Sequence, residues 1–201
     1  MAYSNFTLET VQKTFQLDTV RSKGFFSQIE PVMPSAYLTT GLEKKAPLAT
    51  AIGTEKVRSE LIVADVIVEL LEHFDYRISF FSGIEFNVDA EAGLTGVCDF
   101  LVSLSPEQFY LESPIIALVE AKNLDLKLGL GQCVAEMLAA QRFNAERGND
   151  IPCIYGAATT GIDWQFLKLE GKSLHIDMVI YTIERCDRIL GILASMVAQK
   201  A

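Results

Sequence analysis

Four charged side chains fall in stretches where apolar residues are the rule, and their types suit the handling of a cation and a bound anion. In the segment around Glu60, a helical advance of 100° per residue gathers Arg58, Asp65, Glu69 and Glu72 on one side. Glu60 points the other way, in line with the apolar stripe Ala64, Ile67 and Leu71. A carboxylate in such a stripe is costly unless a cation or hydrogen-bond donor meets it. The other reading is a place in the first turn of the helix, where the N-terminal dipole favours acids. In residues 115–122 side chains alternate between two faces. Ile115, Ala117, Val119 and Ala121 lie on one, and Ile116, Leu118, Glu120 and Lys122 on the other. An almost wholly apolar run thus ends with an acid and an amine side by side. A salt-bridged strand end emerging into water is the plain alternative for that pair.

Asp99 adds a third acid, set between Gly96–Val97–Cys98 and Phe100–Leu101–Val102. Twenty residues lie between Asp99 and Glu120, the interval for neighbouring antiparallel strands joined through a turn at Pro106. Hairpin pairing would bring the two carboxylates opposite one another. At about 5 Å and an effective dielectric near 20 they repel by roughly 3 kcal/mol. Either one carboxyl takes a proton or a cation sits between them. Oxygen donors with retained waters suit Mg²⁺ or Mn²⁺. Lys122, on the face of Glu120, can orient a water and offset the charge of a phosphate.

These residues need elements to hold them. Thr54 is placed to cap a helix over residues 54–74. Strands are expected over 76–88, 96–104 and 109–122, with turn signals at 89–93 and at Ser105–Pro106. A helix over 130–147 ends at Gly148–Asn149, followed by strands at 153–159, 164–169 and 175–181 and a last helix reaching Val197. Ahead of this body, residues 1–52 carry a short amphipathic run from Leu8 to Phe15, then loops and short elements broken by Pro31, Pro34 and Pro47. With no flexible linker between the parts, residues 1–201 are expected to form a single domain, with 1–52 an extension packed on the core. The fold class is α/β, with a mixed sheet between helices.

Half of the 201 residues are hydrophobic and 21% are charged, which fits a globular chain and excludes a disordered one. Acids outnumber Lys and Arg by 26 to 17, a net charge of −9, which excludes a polybasic nucleic-acid coat. The one basic concentration, Lys44, Lys45, Lys56 and Arg58, lies just before Glu60, where it could edge the mouth of a site. No run is long and apolar enough for a bilayer, and the first ten residues lack the pattern of a secretory signal. The four cysteines, Cys98, Cys133, Cys153 and Cys186, form no CxxC pair, so a zinc ribbon or iron–sulfur cluster is not expected. Reduced thiols in the core, and a cytoplasmic location, are the expectation.

A helix acid, an aspartate, some twenty residues and then E-x-K at a strand end: this set resembles the PD-(D/E)XK nuclease superfamily, over about residues 60–164. The stretches FSGIEFNVD, VEAKN and GQCVAEM are similar to a cyanobacterial group within it. The resemblance implies a restriction-endonuclease-like fold and Mg²⁺-dependent (or Mn²⁺-dependent) hydrolysis of phosphodiesters, of DNA ahead of RNA. On that pattern Asp99, Glu120 and the backbone carbonyl of Ala121 hold the metal, with Glu60 directly or through water. Lys122 positions the attacking water. Gln132 stands where some branches carry a glutamine, to anchor the metal-holding strand or contact substrate; a solvated helix start is the alternative for it. Cys98 stands where the pattern has proline. The rival class is a nuclease-fold module that no longer cuts and serves in binding or assembly. A homodimer would double a weak basic face.

Other features are less pointed. Neither His73 nor His175 adjoins a nucleophile motif, and no P-loop or dinucleotide fingerprint occurs. Gly129–Leu130–Gly131 could cradle a phosphate or only make a turn. Trp164 could stack on a base, though packing in the core is the plainer role. Asp125 and Lys127 read as a solvated loop.

Overall fold

The computed structural model describes residues 2–122, 125–149 and 151–198. The elements run α1 (Leu8–Phe15), β1 (Asp18–Ser22), α2 (Ala36–Ile52), α3 (Glu55–Arg58), a π-helical turn (Ser59–Val63), α4 (Ala64–His73), β2 (Ser79–Glu85), β3 (Val97–Ser103), β4 (Ile115–Ala121), α5 (Leu126–Glu146), β5 (Ile154–Thr159), β6 (Asp163–Glu170), β7 (Ser173–Asp177), β8 (Tyr181–Thr182) and α6 (Cys186–Val197). The strands form one mixed sheet in the order β1-β7-β6-β5-β4-β3-β2, with β8 beside β6. The β4–β5 and β1–β7 pairs are parallel and the others antiparallel. This is an α/β architecture with helices on both faces of the sheet.

Two apolar cores follow from that layering. On one face the π turn, α4 and α6 supply Ile62, Val63, Val66, Ile67, Leu70, Ile189 and Leu193 against Ile116, Val119, Trp164 and Phe166 of the sheet. On the other, α5 supplies Cys133, Val134, Met137 and Leu138 against Leu101, Leu118, Leu167 and Leu174. All seven residues of β4 are buried, as a central strand covered on both sides requires. Lys122, the residue that follows, is the first of this run to be partly exposed.

The N-terminal part departs from the reading of loops and short pieces. Pro47 lies inside the seventeen-residue α2, which Ser35 caps by accepting from Leu38 N–H at 3.1 Å. β1 joins the sheet edge beside β7, a pairing that its mixed polar composition does not announce. Helix α1 matches its expected bounds and packs on α5. The close approach there depends on Gly131, where a Cβ would sit 2.3 Å from the carbonyl carbon of Thr7. Gly129 serves the site side of the same helix, with an added Cβ 3.0 Å from Lys122 Cγ and 3.4 Å from Glu120 Cγ. Both glycines lie within α5, so they neither make a turn nor open a phosphate cradle. The helix starts at Leu126 instead, and Asp125, read as a loop residue, caps it by accepting from Lys127 N–H at 2.9 Å.

Candidate active site

Thr54 caps the first long helix as expected, accepting from Val57 N–H at 3.3 Å. The helix is not continuous α-helix, however. Ala64 N–H donates to Ser59 O, five residues back. A π-helical turn takes more residues than an α turn, so the phase of the helix slips across it. The apolar stripe becomes Ile62–Val63, Val66–Ile67 and Leu70–Leu71, all buried. Glu60 consequently leaves the stripe: its side chain is 58% exposed and pairs with Lys56 at 3.1 Å. Arg58 shifts the opposite way, from the expected solvent face into burial, where it donates to Thr160 O at 3.4 Å.

Strands β3 and β4 pair antiparallel with Phe100 opposite Val119, a register that continues to Asp99 beside Glu120. The two carboxyls do not share one pocket in the manner the hairpin suggests. Asp99 Oδ2 accepts from Ala121 N–H at 2.9 Å. Asp99 and Ala121 border a cleft of about 270 Å³ together with Glu55, Lys56, Ser59, Glu60, Ser82 and Gly83. Glu120, 1% exposed, is turned into the protein. There Lys122 Nζ donates to Glu120 Oε1 and lies 3.4 Å from Gln132 Oε1. Gln132 Nε2 in turn donates to Glu136 Oε1 at 3.1 Å. Gln132 is thus two turns into α5 and engaged by Lys122 and Glu136, which removes the reading of a solvated helix start.

The site therefore has two compartments joined at Ala121. One is an acid-lined cleft open to solvent; the other is a buried ring of Glu120, Lys122, Gln132 and Glu136. Burial raises the Asp99 carboxyl, opposed by the Ala121 N–H and the Lys122 charge. Burial also pushes the Glu120 carboxyl up, with Asp99 adding repulsion and Lys122 opposing. Glu136 is fully buried and is pushed well up for the same reason, with Glu120 adding to it. Lys122 is raised overall: Glu120 outweighs the desolvation that works against its charge. Neither Glu120 Oε2 nor Glu136 Oε2 receives a hydrogen from a donor group. Each carboxyl is within hydrogen-bonding reach of the other, so one proton between them satisfies both.

Glu136 and Glu55 are the residues that sequence reasoning passed over. Glu136 shares a helical side with Gln132, four residues on, and that spacing was the available signal. Glu55, in the first turn of α3, lines the cleft and adds its charge to the field at Lys122. The expected basic edge is partly drawn into contacts, while Lys44 stays exposed. Lys45 pairs with Asp65 at 2.7 Å, Lys56 with Glu60, and Arg58 is buried. Trp164 is fully buried and donates to Gly161 O at 3.2 Å, so its role is packing. All four cysteines are free, buried thiols. Asn123, within VEAKN, lies outside the described residues.

A larger hollow, about 520 Å³, lies between α2 and the start of α6, lined by Met33, Leu42, Ala46 and Ile183 among others. It holds none of the ring or cleft residues, and its size alone does not make it the site of chemistry. Among the described residues, no three His, Cys, Asp or Glu side chains converge tightly enough to cage a metal by themselves. No helix of the described residues is long and apolar enough to cross a membrane. Comparison with protein-family models, with curated proteins and with solved structures finds no match to this chain.

Proposed function

We propose that the chain is a metal-dependent hydrolase of nucleic-acid phosphodiesters, DNA ahead of RNA, on a restriction-endonuclease-like fold. The observation that carries this reading is the clustering about the end of β4 of Asp99, which borders the cleft with Glu60 of the π turn, and of Glu120, Lys122 and Gln132 in the buried ring behind it. An acid-lined cleft joined to an amine-bearing ring is suited to phosphate chemistry once a cation is present.

The residues fit a divalent ion of the Mg²⁺ class. The donors bordering the cleft are hard oxygens: Asp99, Glu60, Glu55 and the backbone at Ala121. With few side chains converging, most positions around such an ion would be left to water and substrate, the ordinary condition of Mg²⁺. On this reading Asp99 and the Ala121 carbonyl hold the ion, with Glu60 directly or through water, and Glu120 would join them only by turning out of the buried ring. When bound, it would polarise a phosphate and lower the pKa of a coordinated water. Lys122 is held between Glu120 and Gln132 in the ring next to the cleft, and on this reading its ammonium would orient a water and offset charge on the phosphate.

One observation favours the second reading, a module that binds without cutting: Lys45 and Lys56 are paired with acids and Arg58 is buried, which weakens the basic edge that a duplex would meet. The readings separate on incubation of purified protein with supercoiled plasmid, single-stranded DNA and RNA, in Mg²⁺ or Mn²⁺. Hydrolysis is expected to require the metal and to fall at least about a hundredfold in Asp99→Asn and in Lys122→Ala. Absence of cleavage of all three substrates with either metal refutes the hydrolase.

A further inference from the structure

Resting on that reading, we propose that Glu136 is a positioning residue, which fixes the side-chain amide of Gln132 so that its oxygen faces Lys122 and holds the ammonium against Glu120. The argument begins from the cost of the residue. Glu136 has no exposed surface and lies among Cys98, Cys133 and Glu120, where an apolar side chain of similar size would pack without desolvating a carboxyl. A buried polar group of this kind stands out unless its hydrogen bonds accomplish something.

Its hydrogen bond does one specific thing. An amide has a donor end and an acceptor end, and Gln132 can point either toward the strand. Because Glu136 Oε1 accepts from Gln132 Nε2 at 3.1 Å, the amide oxygen is left to face Lys122 Nζ at 3.4 Å. With the amide reversed, an NH₂ group would meet the ammonium and the two donors would repel. Lys122 would then keep only Glu120 as partner, and its long side chain would regain rotamers. Glu136 also lies close enough to Glu120 to act on its charge, so the same residue bears on both members of the Glu120–Lys122 pair. Gly129 completes the arrangement: the stems of Lys122 and Glu120 pass where its side chain would be.

The test uses the full chain and two variants. Glu136→Gln keeps an acceptor for Gln132 and gains a donor for Glu120, whereas Glu136→Leu keeps the volume and removes both. In protein labelled with ¹⁵N at glutamine, hydrogen exchange at the Gln132 side-chain amide is expected to be slow in the native chain and in Glu136→Gln. It is expected to be at least tenfold faster in Glu136→Leu. Mn²⁺-dependent plasmid cleavage is expected to lose kcat by about 10- to 100-fold in Glu136→Leu with KM little changed, and to stay within several-fold of native in Glu136→Gln. Unchanged exchange and unchanged kcat in Glu136→Leu overturn the proposal, and so does an equal loss in both variants, which would make the carboxylate itself the requirement. If the native chain cuts nothing, the hydrolase reading fails by itself and amide exchange alone decides the role of Glu136. Should Glu136→Leu not fold, Glu136→Met takes its place under the same criteria.

Discussion

Replacing Lys122 by methionine removes the cation that, among the described residues, pairs with Glu120, and keeps most of the side-chain volume. Glu120 is 1% exposed and Lys122 18%, so the pair is only weakly screened. Breaking a buried pair by removing one partner costs about 3–5 kcal/mol, because the remaining charge is uncompensated. The variant can escape by protonating Glu120, which limits the loss. In the folded native chain Glu120 is already pushed up to about 8, so relative to that chain the escape costs about 1.4 kcal/mol for each pH unit above about 8 and almost nothing below it. The limit is therefore well under about 1 kcal/mol at pH 6 and about 2 kcal/mol at pH 9.5, where the native pair is ionised. Urea unfolding of the native chain and Lys122→Met, at both pH values, is expected to show a difference of about 1 kcal/mol or less at pH 6 and about 2 kcal/mol at pH 9.5. The same small difference at both pH values would refute the reasoning, since Glu120 would then not be the charge that Lys122 balances.

Two further outcomes follow from the same structure. Gly131→Ala places a methyl 2.3 Å from the Thr7 backbone, which no rotamer change relieves, so the N-terminal segment bearing Tyr3, Phe6 and Val11 must shift from α5. A loss of about 1–3 kcal/mol in unfolding free energy, with faster proteolysis within residues 2–17, is expected; native resistance in both measurements contradicts the packing. The pH dependence of the native chain takes its sign from Asp99, Glu120 and Glu136, all raised on folding. The folded state then holds protons that the unfolded state has released, so these groups favour folding at low pH. Their contribution is lost as pH rises from about 4.5 through about 8, the value to which Glu120 is pushed. Lys122 just after β4, Gln132 and Cys133 on α5, and Cys98 and Tyr3 face the same cluster and remain uncharged or unchanged across that range. Urea midpoints between pH 5 and 8.5 are expected to decline over this window and to decline less in Glu136→Gln; a rise would contradict the assignment.

Much of the architecture was legible because its signals are local. Alternation and apolar runs located β2 to β7, and the continuous apolar character of 115–119 marked β4 as central. The features that escaped depend on tertiary contact. Glycines ordinarily punctuate a helix, yet Gly129 and Gly131 lie inside α5 because two partners press against it. Pro47 is tolerated in α2, and β1 reads as polar because it is an edge strand whose pairing, not composition, defines it.

The site was legible in composition and less so in arrangement. The ring joins Glu120 and Lys122 to Gln132 on the wheel side that Glu136 shares, but a wheel does not say which side faces the sheet end. Glu60 shows the limit most plainly: one π-helical turn moved it from an apolar stripe to the rim of a cleft. No periodicity of 3.6 contains that slip. The separation of Asp99 from Glu120 into different compartments likewise depends on where each side chain finds a donor, Ala121 N–H for one and Lys122 for the other.

The most direct test of the account is Mn²⁺ binding followed by electron paramagnetic resonance on the native chain, Asp99→Asn and, as a control for general acidity, Asp187→Asn beside the α2–α6 hollow. One ion per chain is expected for the native protein and the control, competed away by Mg²⁺ and lost in Asp99→Asn. Binding that is absent from the native chain, or that survives in Asp99→Asn, would contradict a metal centre at the end of β4.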